Sequence, residues 1–169
     1  APFGPGTGPL PALPQATWFF YASAPTDLPL APSGELGRGW FASTIDAGPA
    51  HALPWAPVAP LLLLCNQVAA LRRRLWPLVQ RSLRISYEPL RVDMTSWHDY
   101  ELLWTERGCF FSVDGRPVLQ TPFRPRGPLG FVSWIDNQFL VARPTGRFRW
   151  GTVTIVREQW LEIASLSVG

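Results

Sequence analysis

From residue 97 to residue 121 apolar and polar side chains alternate so as to predict three short strands and two turns. In 97–105, Tyr100, Leu102 and Trp104 fall on one face, and Asp99, Glu101 and Leu103 fall on the other. In 109–114, Cys109, Phe111 and Val113 share a face. These period-2 faces can stack into one core. The stretch "TERG" turns the chain between the two strands, and Asp114–Gly115 supplies residues that accept positive φ. "RPV" then starts the return into a third strand at 117–121. A β-meander explains this stretch without any ligand.

The same pattern recurs on both sides. "TWFFYAS" (17–23) is an aromatic-rich strand. "RGWFASTID" (38–46) sets Trp40, Ala42 and Thr44 against Phe41, Ser43 and Ile45. "RISYEPLRV" (84–92) is a strand interrupted at Pro89. "PLGFVSWIDNQFLVAR" (128–143) reads as one long or bent strand, or as two. "WGTVTIV" (150–156) and "QWLEIASLSV" (159–168) close the chain. The connections at 24–37 and 47–60 are Pro-rich loops.

Residues 61–84 break the period. Leu64, Val68, Leu71, Leu75, Leu78 and Val79 recur at helical spacing, while Arg72, Arg73, Arg74, Arg81 and Arg84 lie mostly off that stripe. Pro77 is expected to kink or split this helix near Trp76. The reading adopted is an amphipathic helix laid over a sandwich with its charges in water, in preference to contact with a membrane surface. Many short strands between turn signals, with one inserted helix, predict an all-β sandwich of 169 residues in a single domain.

Composition changes this picture little. With 47% hydrophobic and 16% charged residues the chain is of the folded type. The 19 Pro and 14 Gly favour short elements, and residues 1–16 form a Pro/Gly-rich arm without periodicity. Its G-P-G-T-G lacks the preceding strand of a phosphate loop. Every basic residue is Arg, for which the fold offers no physical account. A net charge of +3, with the Arg residues scattered except at 72–74, excludes generic nucleic-acid binding, which shows a denser basic stripe.

Cys65 and Cys109 are expected to be two buried free thiols, although one disulfide stays open. The chain begins at Ala1 with no pattern of signal-peptide type, which points to a processed product or a fragment. Its longest apolar run, "VAPLLLLC", is too short to span a bilayer.

Trp97, His98, Tyr100, Leu102, Trp104, Phe111, Val113, Asp114 and Gly115 together resemble a signature of family-16 glycoside hydrolases and their relatives. The closing "QWLEIASLSV" resembles that family's last strand, so the resemblance covers roughly residues 97–168. It implies the concanavalin A-like jelly roll: two curved antiparallel sheets packed face to face, the concave one forming a polysaccharide cleft. It also implies an extracellular or cell-surface protein. Members are longer than this chain, so a segment preceding Ala1 or a second copy is expected to complete a sheet edge.

Retaining members of that family place their carboxylates in an E-x-D-x-x-E strand. None of Glu35, Glu88, Glu101, Glu106, Glu158 and Glu162 is followed by Asp two residues later, so the motif is absent and hydrolysis is not expected. His51 and His98 lack metal-ligand spacing. A Cys109–His98 nucleophile pair competes with a simpler core role for the thiol. No cofactor is expected. Calcium, which legume-type lectins of this fold bind, needs a larger coordination set than one Asp–Asn step.

Trp134, Asp136 and Gln138 would project to one side of an extended strand and suit sugar recognition. The ring stacks on a pyranose, and the carboxylate and amide take hydroxyls. Asp136–Asn137 is equally good turn chemistry. Trp40 and Trp18 are further candidates. The expected function is therefore non-catalytic, lectin-like binding of a glycan. The alternatives are a structural or self-assembling sandwich and a divergent polysaccharide hydrolase.

Overall fold

The structure, a computed structural model, describes residues 15–28 and 37–169. The arm at 1–16 therefore lies outside the described residues, except for Gln15 and Ala16, which begin a strand. Residues 29–36 of the loop at 24–37 also lie outside them.

Two three-stranded antiparallel sheets carry the architecture. The first runs β1 (Gln15–Ala22), β2 (Gly39–Asp46), β3 (Ile85–Pro89), with β2 central. The second is the meander β4 (Tyr100–Thr105), β5 (Gly108–Val113), β6 (Arg116–Thr121), with β5 central. A hairpin of β7 (Gln138–Ala142) and β8 (Phe148–Thr152) forms a third sheet.

The meander forms as the alternation predicts. Tyr100, Leu102 and Trp104 pair with Val113, Phe111 and Cys109, which are all buried. Asp114 (φ 52°) and Gly115 (φ 70°) both sit in left-handed backbone, as the tight turn between Val113 and Arg116 requires. Gly108 (φ 135°) ends the first turn, its Cα facing the Thr121 carbonyl so closely that a Cβ would lie 2.0 Å from it. One extra residue on β6, between Pro117 and Leu119, makes a bulge that lets both Val118 and Leu119 pack on the core.

The two sheets meet face to face. Ala42 of β2 clusters with Cys109 and Phe111 of β5, and Phe19, Leu90, Leu102, Val118 and Leu119 close around them. The Phe19 ring meets Phe111 edge-on at 5.3 Å and Tyr100 at 5.1 Å. Ser86 and Thr121 exchange a hydroxyl hydrogen bond of 2.8 Å across the sheets. The sequence-derived all-β class thus holds at the level of antiparallel, sandwich-like sheets.

Between β2 and β3 come α1 (Pro49–Ala52), a 3-10 turn (Leu53–Val58), α2 (Ala59–Cys65) and α3 (Ala69–Ser82). The single helix expected over 61–84 is therefore two helices. The break lies at 66–68, and Pro77 sits inside α3. Side-chain chemistry accounts for the position of the break. Asn66 is buried and donates Nδ2–H to the Pro144 carbonyl (3.0 Å), while Arg72 donates to the Asn66 carbonyl (2.9 Å). Gln67 donates to the carbonyls of Leu63 and Thr145, both at 2.9 Å. These amides satisfy the β7–β8 turn, and Val68 becomes extended.

The helical stripe does not cover the sandwich. Val79 is buried, but Leu64, Val68, Leu71 and Leu78 are exposed.

Two further expectations are corrected. Of 128–143 only Gln138–Ala142 is a strand, because the Asp136 carboxylate accepts from the Gln138 amide (3.1 Å) and turns the chain just before it. Residues 159–168 are exposed and form no strand, since among the described residues they find no strand partner for their backbone.

The loop after β1 is tied to β7 through Asp27. Its amide donates to the Leu140 carbonyl, its carbonyl accepts from Ala142, and its carboxylate accepts from the Gly37 amide and pairs with Arg143. Both cysteines are free; Cys109 is buried, whereas Cys65 is half-buried and not buried as expected.

Candidate functional site

At the open end of the β7–β8 hairpin, Asn137 and Val153 extend the pairing by one step. The Val153 amide donates to the Asn137 carbonyl (2.8 Å), and the Asn137 side chain donates to the Val153 carbonyl (2.9 Å). This fixes residues 136–138 beside 153–159. Between them opens a recess of about 200 Å³, lined by Ser23, Asp136, Asn137, Gln138, Arg157 and Gln159, with Val153, Ile155 and Val156 as its apolar side.

One oxygen of Asp136 is engaged by the Gln138 backbone. Among the described residues the side chains of Ser23, Gln138, Arg157 and Gln159 hold no hydrogen bond or ion pair. The recess therefore offers a free carboxylate oxygen, two amides, a hydroxyl and a guanidinium to a ligand rich in oxygen. Pockets for drug-sized ligands measure roughly 300–1,000 Å³, so this one suits a single ring or a chain end.

Of the residues named from the sequence, Asp136 and Gln138 are brought together here. Trp134 is not part of the lining, and its ring is 45% exposed. It meets Trp18 edge-on at 6.3 Å, ending a row of rings that runs through Phe20 (5.6 Å), Phe41 (5.3 Å) and Tyr87 (6.1 Å) on the outer face of the first sheet. Trp40 lies on the opposite face. It packs on Tyr100 at 5.7 Å and donates its indole N–H to the Tyr100 hydroxyl (3.2 Å). Burial raises the Tyr100 pKa, which keeps that hydroxyl protonated.

Ser23, Arg157 and Gln159 were not legible as site residues. Ser23 follows β1 and Arg157 and Gln159 follow β8, so only the tertiary structure brings them beside Asp136 and Gln138.

His98 occupies a second polar cluster. Its Nδ1 lies 2.7 Å from an Asp114 carboxylate oxygen, and its Nε2 lies 3.1 Å from the Asp93 carbonyl. The other Asp114 oxygen accepts from the Asp99 amide (3.0 Å). The hydrogen bond to Asp114 raises the His98 pKa. The Asp99 amide and His98 lower that of Asp114. Two acceptors facing one imidazole are both satisfied only by the doubly protonated ring.

This arrangement removes the Cys109–His98 nucleophile pair. Both ring nitrogens are engaged elsewhere, and the Cys109 thiol is in the core. The recess holds one carboxylate, whereas glycoside hydrolysis uses two. Among the described residues no three His, Cys, Asp or Glu side chains gather that could hold a metal ion. Among the described residues no helix is long and apolar enough to cross a membrane. Comparison of the chain with protein-family models, curated proteins and solved structures finds no match.

Proposed function

We propose that this chain is a carbohydrate-binding, lectin-like β-sandwich of the concanavalin A-like jelly-roll type, related to family-16 glycoside hydrolases. The recess beside the β7–β8 hairpin is its binding site. The observation that carries this reading is the convergence of Asp136 and Gln138 with Ser23, Arg157 and Gln159 around a space the size of one sugar ring. The carboxylate and amides would take the hydroxyls. The exposed Trp134 ring, two residues from Asp136, offers a stacking surface for a following unit.

A glycan-array screen of the purified chain, followed by calorimetry on the hits, tests the reading. Asp136→Ala removes a charged acceptor, and a hydrogen bond to a charged group is worth about 1.5–3 kcal/mol, so binding should weaken roughly ten- to a hundredfold. Unchanged affinity would exclude the recess. Turnover of a bound polysaccharide, read by reducing-end release, would favour the hydrolase alternative.

A second reading, assembly with other copies or with a further segment, is favoured by the closing stretch of the chain. There Ile155, Val156, Trp160, Leu161, Ile163, Leu166 and Val168 all stand exposed. Light scattering of the purified chain separates it from the first reading: a defined oligomer without glycan binding would support assembly.

A further inference from the structure

We propose that the helical segment of α2 and α3 docks on an anionic membrane surface. Between Asp46 and Glu88 the chain contains no acidic residue and five Arg, so with a net charge of +3 the remainder of the molecule carries −2. The segment between β2 and β3 thus carries positive charge with no acid of its own, whereas the other basic stretch, 116–157, contains seven Arg together with Asp136. Arg84 is taken up by Asp46 at 3.0 Å, and Arg72 donates to the Asn66 carbonyl. Among the described residues the side chains of Arg73, Arg74 and Arg81 hold no hydrogen bond or ion pair.

The apolar residues give this charge its direction. α3 covers Val79 and Gln80 and turns the opposite side to solvent. On that side Leu71 and Leu78 lie seven residues apart, nearly in line, and Arg74 and Arg81 form a parallel row three positions on from each Leu. All four are exposed. On α2, Leu61 and Leu64 share a side and are also exposed. A row of leucines flanked by arginines is the pattern of a helix that lies in a bilayer interface. The leucines enter the acyl boundary and the guanidinium groups stay at the headgroups.

Other occupants fit less well. A second copy docked through this face would bring two unneutralised Arg rows together, which like-charge repulsion opposes. A nucleic acid would match the charge but would leave the leucine row against phosphate.

Co-sedimentation of the whole chain with phosphatidylcholine vesicles, with and without phosphatidylserine, tests the proposal. Binding is expected only with phosphatidylserine and should fall as salt rises. Arg74→Gln with Arg81→Gln should weaken it roughly fivefold per charge, about 25-fold for the pair. Leu71→Ser with Leu78→Ser should weaken it at unchanged charge. Arg74→Lys with Arg81→Lys keeps the charge and should bind as the parent does.

All four positions are exposed, so the helical circular dichroism should be retained in every variant. Absence of phosphatidylserine-dependent binding overturns the proposal. So does parental binding by either the Gln pair or the Ser pair, or loss of binding in the Lys pair. Binding of single-stranded RNA without vesicle binding overturns it in favour of a nucleic-acid partner. A dimer dispersed by the Ser pair, without vesicle binding, overturns it in favour of self-association.

Discussion

The contact between Phe19 and Phe111 is the point at which the two sheets become one fold. Phe111 is 1% exposed and belongs to the cluster with Ala42 and Cys109. Truncating a buried Phe to Ala costs about 3–5 kcal/mol, from lost transfer energy and from the cavity left behind. In a chain of this length each kcal/mol moves Tm by about 2–4 °C, so Phe111→Ala should lower Tm by roughly 6–20 °C. Phe19 is only half-buried, and its truncation should cost less, about 1–3 kcal/mol.

The sum of these costs approaches the whole stability of many domains, about 5–15 kcal/mol. The coupling is therefore best measured with Phe19→Leu, Phe111→Leu and the double variant in urea. An edge-to-face pair at 5.3 Å and 87° contributes about 0.5–1.5 kcal/mol beyond its area. The double variant should accordingly be less destabilised than the sum of the singles by about that amount. A common slope of free energy against urea in all four proteins would confirm that the cycle compares native states of equal compactness. Additive effects within about 0.3 kcal/mol would mean that the rings do not touch, and the face-to-face packing of the sheets would be refuted.

Three further outcomes follow from the same structure. Gly108→Ala places a Cβ 2.0 Å from the Thr121 carbonyl at φ 135° and should cost at least about 1–3 kcal/mol; Gly115→Asn, in open space and tolerant left-handed backbone, should cost under about 1 kcal/mol, both read by thermal melting. Because the pKa of His98 is raised in the folded state, its contribution is fully present below the unfolded value of 6.5 and is lost as pH rises through the folded value. Asp114 has a lowered pKa, so its contribution is present above its ordinary 3.8 and is lost as pH falls through the folded value. Stability should therefore decline on going from below pH 6.5 into the alkaline range, and His98→Gln should flatten that decline in urea titrations at fixed pH; an unchanged slope would mean that His98 is not held by Asp114. Asp27→Ala removes the acceptor of the Gly37 amide and the partner of Arg143, and should cost about 3–5 kcal/mol, because it breaks a largely buried pair and leaves Arg143 uncompensated; a cost below about 1 kcal/mol in urea would show that this tie is not formed.

Local pattern and distant contact contributed differently. The strands at 17–23, 38–46, 97–105, 109–114 and 117–121 were legible, because period-2 alternation and the Asp114–Gly115 turn are written in neighbouring residues. The break of the helix at 66–68 was not, because it lies where Asn66 and Gln67 bind carbonyls seventy-eight positions away, while Pro77 sits inside α3. The strand expected at 159–168 does not form, for a related reason. Alternation marks a segment able to pair, but a strand also needs a neighbour, and none is present among the described residues.

The site divides in the same way. Asp136 and Gln138 could be picked from one short run, yet Arg157, Gln159 and Ser23 join them only in the tertiary structure. The stripe of leucines at helical spacing was visible in the sequence. Which residues of that stripe meet the core was not: α3 buries Val79 and leaves Leu71 and Leu78 in water.

By itself the sequence determined the all-β class, the meander and its turns and the absence of the paired-carboxylate motif. The tertiary structure alone decided which faces touch, where the helix divides and which polar groups share one recess. The first set depends on φ, ψ and side-chain direction over a few residues. The second depends on contacts between residues far apart in the chain, whose entropy of closure is offset only when the whole core assembles.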